Sequence, residues 1–166
     1  MRDDWSFNVG PIFGAAYLRA TVPDGWAVKS ILHDGRDIAD TPLEMRSGEE
    51  LSGIQVVVSP RATSVAGQLA DSRGAPLTDA TVVVFAEDAG KWGEESRWVR
   101  ASRPDQQGRF EIKGLPAGEY LAVALSYVED GNWNDPEYLE SIRRYGRKVT
   151  LTDGGTAAPA LTVITP

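Results

Sequence analysis

The chain of 166 residues contains no cysteine, which removes disulfides, thiolate metal sites and a cysteine nucleophile at once. It contains one histidine, His33, whereas zinc sites normally draw on several His or Cys ligands. No apolar run approaches the ~18 residues of a membrane-spanning helix. The opening Met-Arg-Asp-Asp-Trp lacks the apolar stretch of a signal peptide, so if the parent protein is exported these residues are expected to be an internal excerpt. Cations are in the minority, with 17 Lys and Arg against 24 Asp and Glu and a net charge of −7. A phosphate-rich partner needs the opposite sign, which argues against nucleic acid.

What is present is a globular share of hydrophobic residues, 42%, with 17 glycines and 10 prolines to make turns. That mixture favours short strands over long helices. From residue 62 onward, strands are expected at 64–69, 81–86, 97–102, 109–113, 120–125, 148–151 and 160–164. The turns Asp71-Ser-Arg-Gly74, Asp105-Gln-Gln-Gly108 and Leu115-Pro-Ala-Gly118 separate several of them. Thr81-Val-Val-Val-Phe-Ala86 reads as a strand buried on both sides, and Arg109-Phe-Glu-Ile-Lys113 alternates, with Phe110 and Ile112 on one face. Seven strands so spaced predict an all-β, antiparallel Greek-key sandwich. One short helix is expected near 135–145, with Asn134 or Asp135 as N-cap, Pro136 in the first turn and Arg143 and Arg144 at the C-terminal end. Tyr138, Leu139 and Ile142 would share its inner face.

Residues 1–61 match the second half of this unit. Phe7, Val9, Ile12 and Tyr17 fall at a constant offset of 103 from Phe110, Ile112, Leu115 and Tyr120. Gly48, Val57 and Pro60 fall at an offset of 106 from Gly154, Val163 and Pro166. Between the two offsets, Trp26–Leu32 and the His33-Asp-Gly-Arg36 turn stand where the later copy has its helix. The chain therefore divides into a β-rich half repeat, 1–61, and a complete sandwich, 62–166. The half repeat lacks counterparts of three strands, so Phe7, Val9, Ile54, Val56 and Val58 are candidates for an assembly surface.

Val65-Ala-Gly-Gln-Leu-Ala-Asp-Ser-Arg-Gly-Ala-Pro resembles the opening of carboxypeptidase regulatory-like domains, and Gly108-Arg-Phe…Leu115-Pro-Ala-Gly-Glu-Tyr120 resembles their second signature. The resemblance implies a transthyretin-like (prealbumin-like) sandwich in which Phe110, Leu115 and Tyr120 fill the space between sheets. It also implies a structural or interaction role, without cofactor, in an exported, periplasmic or cell-surface and sometimes repetitive protein. Transthyretin-related hydrolases of purine breakdown use several histidines and end Tyr-Arg-Gly-Ser, unlike this chain. Surface-protein sandwiches of similar outline carry Lys–Asn crosslinks, but Gln68, Leu69, Thr162 and Val163 occupy the strands concerned, and no such bond is expected.

Other chemistry is sparse. His33 beside a turn reads as an exposed turn residue, and no Gly-x-Ser-x-Gly elbow frames a serine, leaving a hydrolase a distant alternative. Asp130, Asn132 and Asn134 have the 1, 3, 5 spacing of a calcium loop, but the sixth position is Asp135 instead of glycine and the twelfth is Ser141. No metal requirement follows. Trp92, Trp98 and Trp133, in or near loops, are the candidate stacking residues for the alternative reading as a carbohydrate-binding module. A protein partner or self-association through residues 1–60 is the expected interaction.

Overall fold

The computed structural model describes residues 5–10, 12, 14–46, 49–93 and 95–165. Gly48 and Pro166, two positions of the repeat match, lie outside them. The chain divides into two units, Met1–Thr21 with Val28–Val58, and Val22–Ala27 with Ser59–Pro166.

The first unit contains β1 (Gly14–Ala16), β2 (Ala27–His33), β3 (Arg36–Asp37), β4 (Leu43–Met45) and β5 (Gln55–Ser59). β1 pairs antiparallel with β4, while β2 lies between β3 and β5. The Asp34-Gly35 turn takes φ of +49° and +76°, the doubly left-handed geometry that Asp-Gly supplies in a two-residue hairpin. One Asp37 carboxylate oxygen accepts from the Ile31 and Ala39 amides at 3.1 and 3.0 Å, and both of those residues are buried. Residues 7–10 and 12, expected to mirror a strand, belong to none. A strand needs a neighbour to accept its hydrogen bonds, and these residues have no strand beside them among those described.

The second unit contains β6 (Ser64–Gln68), β7 (Thr81–Ala86), β8 (Val99–Ser102), β9 (Arg109–Lys113), β10 (Gly118–Leu125), helix α1 (Pro136–Ile142), β11 (Arg147–Leu151), β12 (Thr156–Ala157) and β13 (Val163–Ile164). One sheet runs β11–β10–β7–β8 and the other β12–β6–β9, making the expected sandwich. The strand expected at 160–164 shrinks to β13, and β12 is an addition. Both pair in parallel, β12 with β6 and β13 with Ala124 and Leu125 of β10. The cause is local. β11 reaches β10 only as far as Ala122, which leaves the end of that edge for β13, and Pro159 has no N–H with which to continue a ladder.

Every residue of β7, and β10 from Tyr120 onward, is buried. Val82, Val84, Ala86, Tyr120, Ala122 and Ala124 face the small sheet, meeting Val65, Phe110, Ile112 and Leu115. Val83, Phe85, Leu121, Val123 and Leu125 face the other way, onto Leu139 and Ile142 of α1. The helix is thus a third layer. Asp135 caps it by accepting from the Glu137 amide at 2.9 Å, and Pro136 occupies the first turn, where its missing N–H costs nothing.

The signature residues have mechanical explanations. Gly67 lies opposite Phe110 in the β6–β9 ladder, and a Cβ at Gly67 would stand 2.9 Å from the Phe110 ring. Tyr120 is fully buried, yet its hydroxyl donates to the Pro116 carbonyl at 2.7 Å, which satisfies the one polar atom it carries inward. The buried Thr63 hydroxyl donates to the Leu115 carbonyl in the same way. Asp71 and Asp105 build matching turns, each accepting from the amides two and four residues ahead at 2.8–2.9 Å. The Arg109 amide, foremost among these contacts, holds the Asp105 carboxyl below its ordinary value. This contribution to stability is complete above the unfolded carboxyl pKa and fades as pH falls through the lowered one.

Two measurements check this architecture. Leu139→Ala is expected to cost about 2–5 kcal/mol in urea unfolding, as a core truncation does; a cost near zero would reduce α1 to surface decoration. Gly74 and Gly108 have φ of +83° and +72°. An added Cβ meets nothing at Gly74 but collides with the Leu69 carbonyl at Gly108. Gly74→Ala is therefore expected to cost about 1–2 kcal/mol, from the left-handed conformation alone, and Gly108→Ala clearly more. Equal costs would contradict the packing.

Candidate functional site

Three regions carry the residues that the sequence singled out. The first is the end of the large sheet where β7 leads into β8. Asp88 caps a single 3-10 turn, Ala89–Lys91, by accepting from the Gly90 amide. The Trp92 indole that follows donates to the Ala86 carbonyl at 2.7 Å and meets Phe85 edge to face at 5.5 Å. It packs against both core clusters. Trp98 stacks on Tyr120, with centroids 6.1 Å apart, and the Lys91 ammonium lies 3.8 Å from its ring centroid. Trp133 sits in a second 3-10 turn, Asn132–Asn134, and packs beneath the α1 layer. All three indoles are half-buried. Trp92 and Trp98 pack on the first core cluster, and Trp92 and Trp133 on the second.

The second region is the Asp130 loop. Asp130 pairs with the Arg103 guanidinium at 3.0 Å, both side chains well exposed. Asn132 and Asn134 lie in the 3-10 turn beyond it. Among the described residues, no three His, Cys, Asp or Glu converge as a metal-binding group. His33 is partly covered, and its Nε2 lies 3.8 Å from the exposed Asp34 carboxylate. No helix is long and apolar enough to cross a membrane among the described residues.

The third region is an open groove of about 820 Å³ in the first unit, lined by apolar residues such as Phe7, Val9, Leu43, Met45 and Ile54 together with Asn8 and the charged Arg46, Glu49 and Glu50. Trp5, Phe7, Val9 and Tyr17 are exposed at 79%, 39%, 52% and 40%. Of the other residues proposed for assembly, Ile54 and Val56 are half-buried and Val58 is exposed. Sequence reasoning named part of this surface but passed over Trp5, which no periodic pattern marks.

The fold defines the chain's larger part as a two-sheet β-sandwich. No family model matches the chain, and no curated protein matches it. Solved structures do. The Bacillus anthracis TIE protein is 19% identical with a TM-score of 0.39, the match covering 75% of this chain and 20% of that one. A putative carbohydrate-binding protein from Pseudomonas aeruginosa is 17% identical at 0.32, covering 64% and 89%. A streptococcal ancillary pilin is 18% identical at 0.37, covering 91% and 49%. Catechol dioxygenases match as well. The chain thus spans a fifth of the TIE protein and half of the pilin.

If the Asp130 loop is a turn and not a cation site, melting curves recorded with calcium and with a chelator will superimpose. A ligand that binds only the folded state must raise Tm by mass action, so a calcium-dependent rise would restore the loop as a metal site.

Proposed function

We propose that the chain is a non-catalytic structural and interaction module of an exported or cell-surface protein, working through the exposed apolar side chains, such as Phe7 and Val9, of the mixed groove in its first unit. The carrying observation is the groove itself. Apolar side chains left in water forgo roughly 25 cal/mol for each Å² that could be covered, and uncovered apolar patches on an otherwise charged surface mark interaction sites. Membership of the carboxypeptidase regulatory-like family belongs to the same proposal. It is supported by the Gly67–Phe110 contact and the Tyr120–Pro116 hydrogen bond, which give the two signatures a physical purpose. An extracellular, periplasmic or surface location rests on that membership.

A carbohydrate-binding role would need flat indole faces open to a sugar, whereas Trp98 already contacts Tyr120 and Lys91 and Trp92 is hydrogen-bonded to backbone. A hydrolytic role would need a positioned nucleophile and base, whereas the described charged neighbour of His33 is the exposed Asp34, 3.8 Å away.

Dye binding, light scattering and a glycan array together test the proposal. The chain is expected to bind an apolar-surface dye and to associate weakly as its concentration rises. Val9→Asp should reduce both, Trp98→Ala should lower stability without changing either, and the array should stay blank. A chain that shows neither dye binding nor association, or that binds a glycan lost on Trp98→Ala, would overturn the reading.

A further inference from the structure

We propose that β5 is a self-pairing edge, which joins the β5 strand of a second copy of the chain antiparallel about a two-fold axis at Val57. The inference is independent of the groove, whose lining reaches Ile54 but none of the three valines that follow Gln55. It starts from the edges of the sheets. A strand at an edge presents unpaired N–H and C=O groups, and charged side chains along it discourage another strand from adding. Among the described strands of more than three residues, β5, β8, β9 and β11 are edges. β8 carries Arg100, β9 carries Arg109, Glu111 and Lys113, and β11 carries Arg147 and Lys148. β5 reads Gln-Val-Val-Val-Ser and carries no charge. The nearest charged residues along the sequence are Glu50 and Arg61.

The strand has fixed limits. Gly53 takes a φ of +77° shortly before it, and Pro60, directly after it, has no N–H with which to extend a ladder. Between these limits β2 takes one edge of β5, and no described strand lies on the other. Val56 and Val58 point to one face and Val57 to the opposite one. Val56 and Val57 are half-buried and Val58 is 38% exposed, so neither face of the strand is fully covered.

A second copy is the partner that fits, because the strand is symmetric in character about Val57. With the two-fold axis there, Val57 faces the partner's Val57, Val56 faces the partner's Val58, and Gln55 faces the partner's Ser59. Apolar side chains meet apolar ones and polar meet polar, and cross-strand pairs of β-branched residues stabilise a sheet. Moving the axis to Val56 or Val58 would set Val57 opposite the partner's Gln55 or Ser59 and lose that match. Each copy has a net charge of −7, which opposes contact through an acidic face, whereas this stretch brings no like charges together. The product is a six-stranded sheet, with β3–β2–β5 continued by the second copy's β5–β2–β3, and such an isologous contact closes at two copies. Five residues a side is few beside the roughly 20–30 of a stable interface, so the dimer is weak and depends on concentration.

The absence of cysteine lets single thiols read the register. Opposed residues on antiparallel strands hold their Cα atoms about 4.5–5.5 Å apart, a span that a disulfide bridges. Gln55 and the partner's Gln55 would stand about 14 Å apart along the strands. With oxidised glutathione as oxidant, Val57→Cys is expected to crosslink into dimers at least about ten-fold faster than Gln55→Cys, whose thiols lie beyond disulfide reach. A mixture of Gln55→Cys and Ser59→Cys should recover the fast rate as a heterodimer, while neither does so alone. Adding Val9→Asp to V57C should leave its rate unchanged, since that substitution alters the groove and not the edge. Equal rates for V57C and Q55C, or no gain on mixing, would overturn the inference. Loss of the V57C crosslink on Val9→Asp would also overturn it, by moving the contact to the groove. So would a chain that light scattering finds monomeric at millimolar concentration, which would leave a strand of a different protein as the partner for this edge.

Discussion

The second unit depends on the burial of β7 and β10 on both faces. A strand reading Thr-Val-Val-Val-Phe-Ala has no polar side to turn toward water, so the sheet built on it needs a cover above and below. The small sheet covers one face and α1 the other. A seven-residue helix has little stability of its own. It holds because Leu139 and Ile142 are fully buried and because Asp135 and Pro136 fix its start. Lodging a helix between β10 and β11 has a consequence downstream. β11 leaves β10 short of its end, and β13 takes the remaining edge, so the two-residue strand follows from the helical cover.

The same sheet must end somewhere, and β8 is its outer strand. Arg97, Arg100 and Arg103 are spaced along this edge without an intervening acid. Arg100 turns its guanidinium onto its own backbone, donating to the Val99 and Ser96 carbonyls. Cations and occupied carbonyls make a poor template for another strand. Trp92, beside this edge, acts at the junction of the two cores, where one large ring spans what several small residues could not. The ion pairs around them, such as Lys148 with Glu87, are surface contacts that contribute little.

Much of this was legible in the sequence because it is local. The limits of β7 and β9, the two Asp-x-x-Gly turns, the Asp34-Gly35 hairpin and the capped helix each depend on a few consecutive residues. The parallel pairings of β12 and β13 were not legible, since two-residue strands carry no periodicity and exist only because neighbouring strands end where they do. The assignment of Val83 and Phe85 to a different core from Phe110 was hidden as well, because alternation in an all-apolar strand does not say which side meets which layer. The tryptophans were ambiguous in the sequence, since an indole near a loop can serve as a core anchor or as a stacking face. Loop position suggests exposure, but Trp92 and Trp98 are drawn inward by a backbone carbonyl and a tyrosine ring.

The contrast between equivalent positions carries the functional argument further than the fold does. A fold by itself does not specify an activity, so function has to be argued from particular residues. Phe110 and Phe7 stand in matching local sequence, but one is 4% exposed and the other 39%. Local sequence determines which residues are apolar, and only the neighbouring strands determine whether they are dry. Phe7 and Val9 match the apolar character of Phe110 and Ile112 and line the open groove of the first unit, whereas Tyr17, exposed at 40%, stands outside its lining.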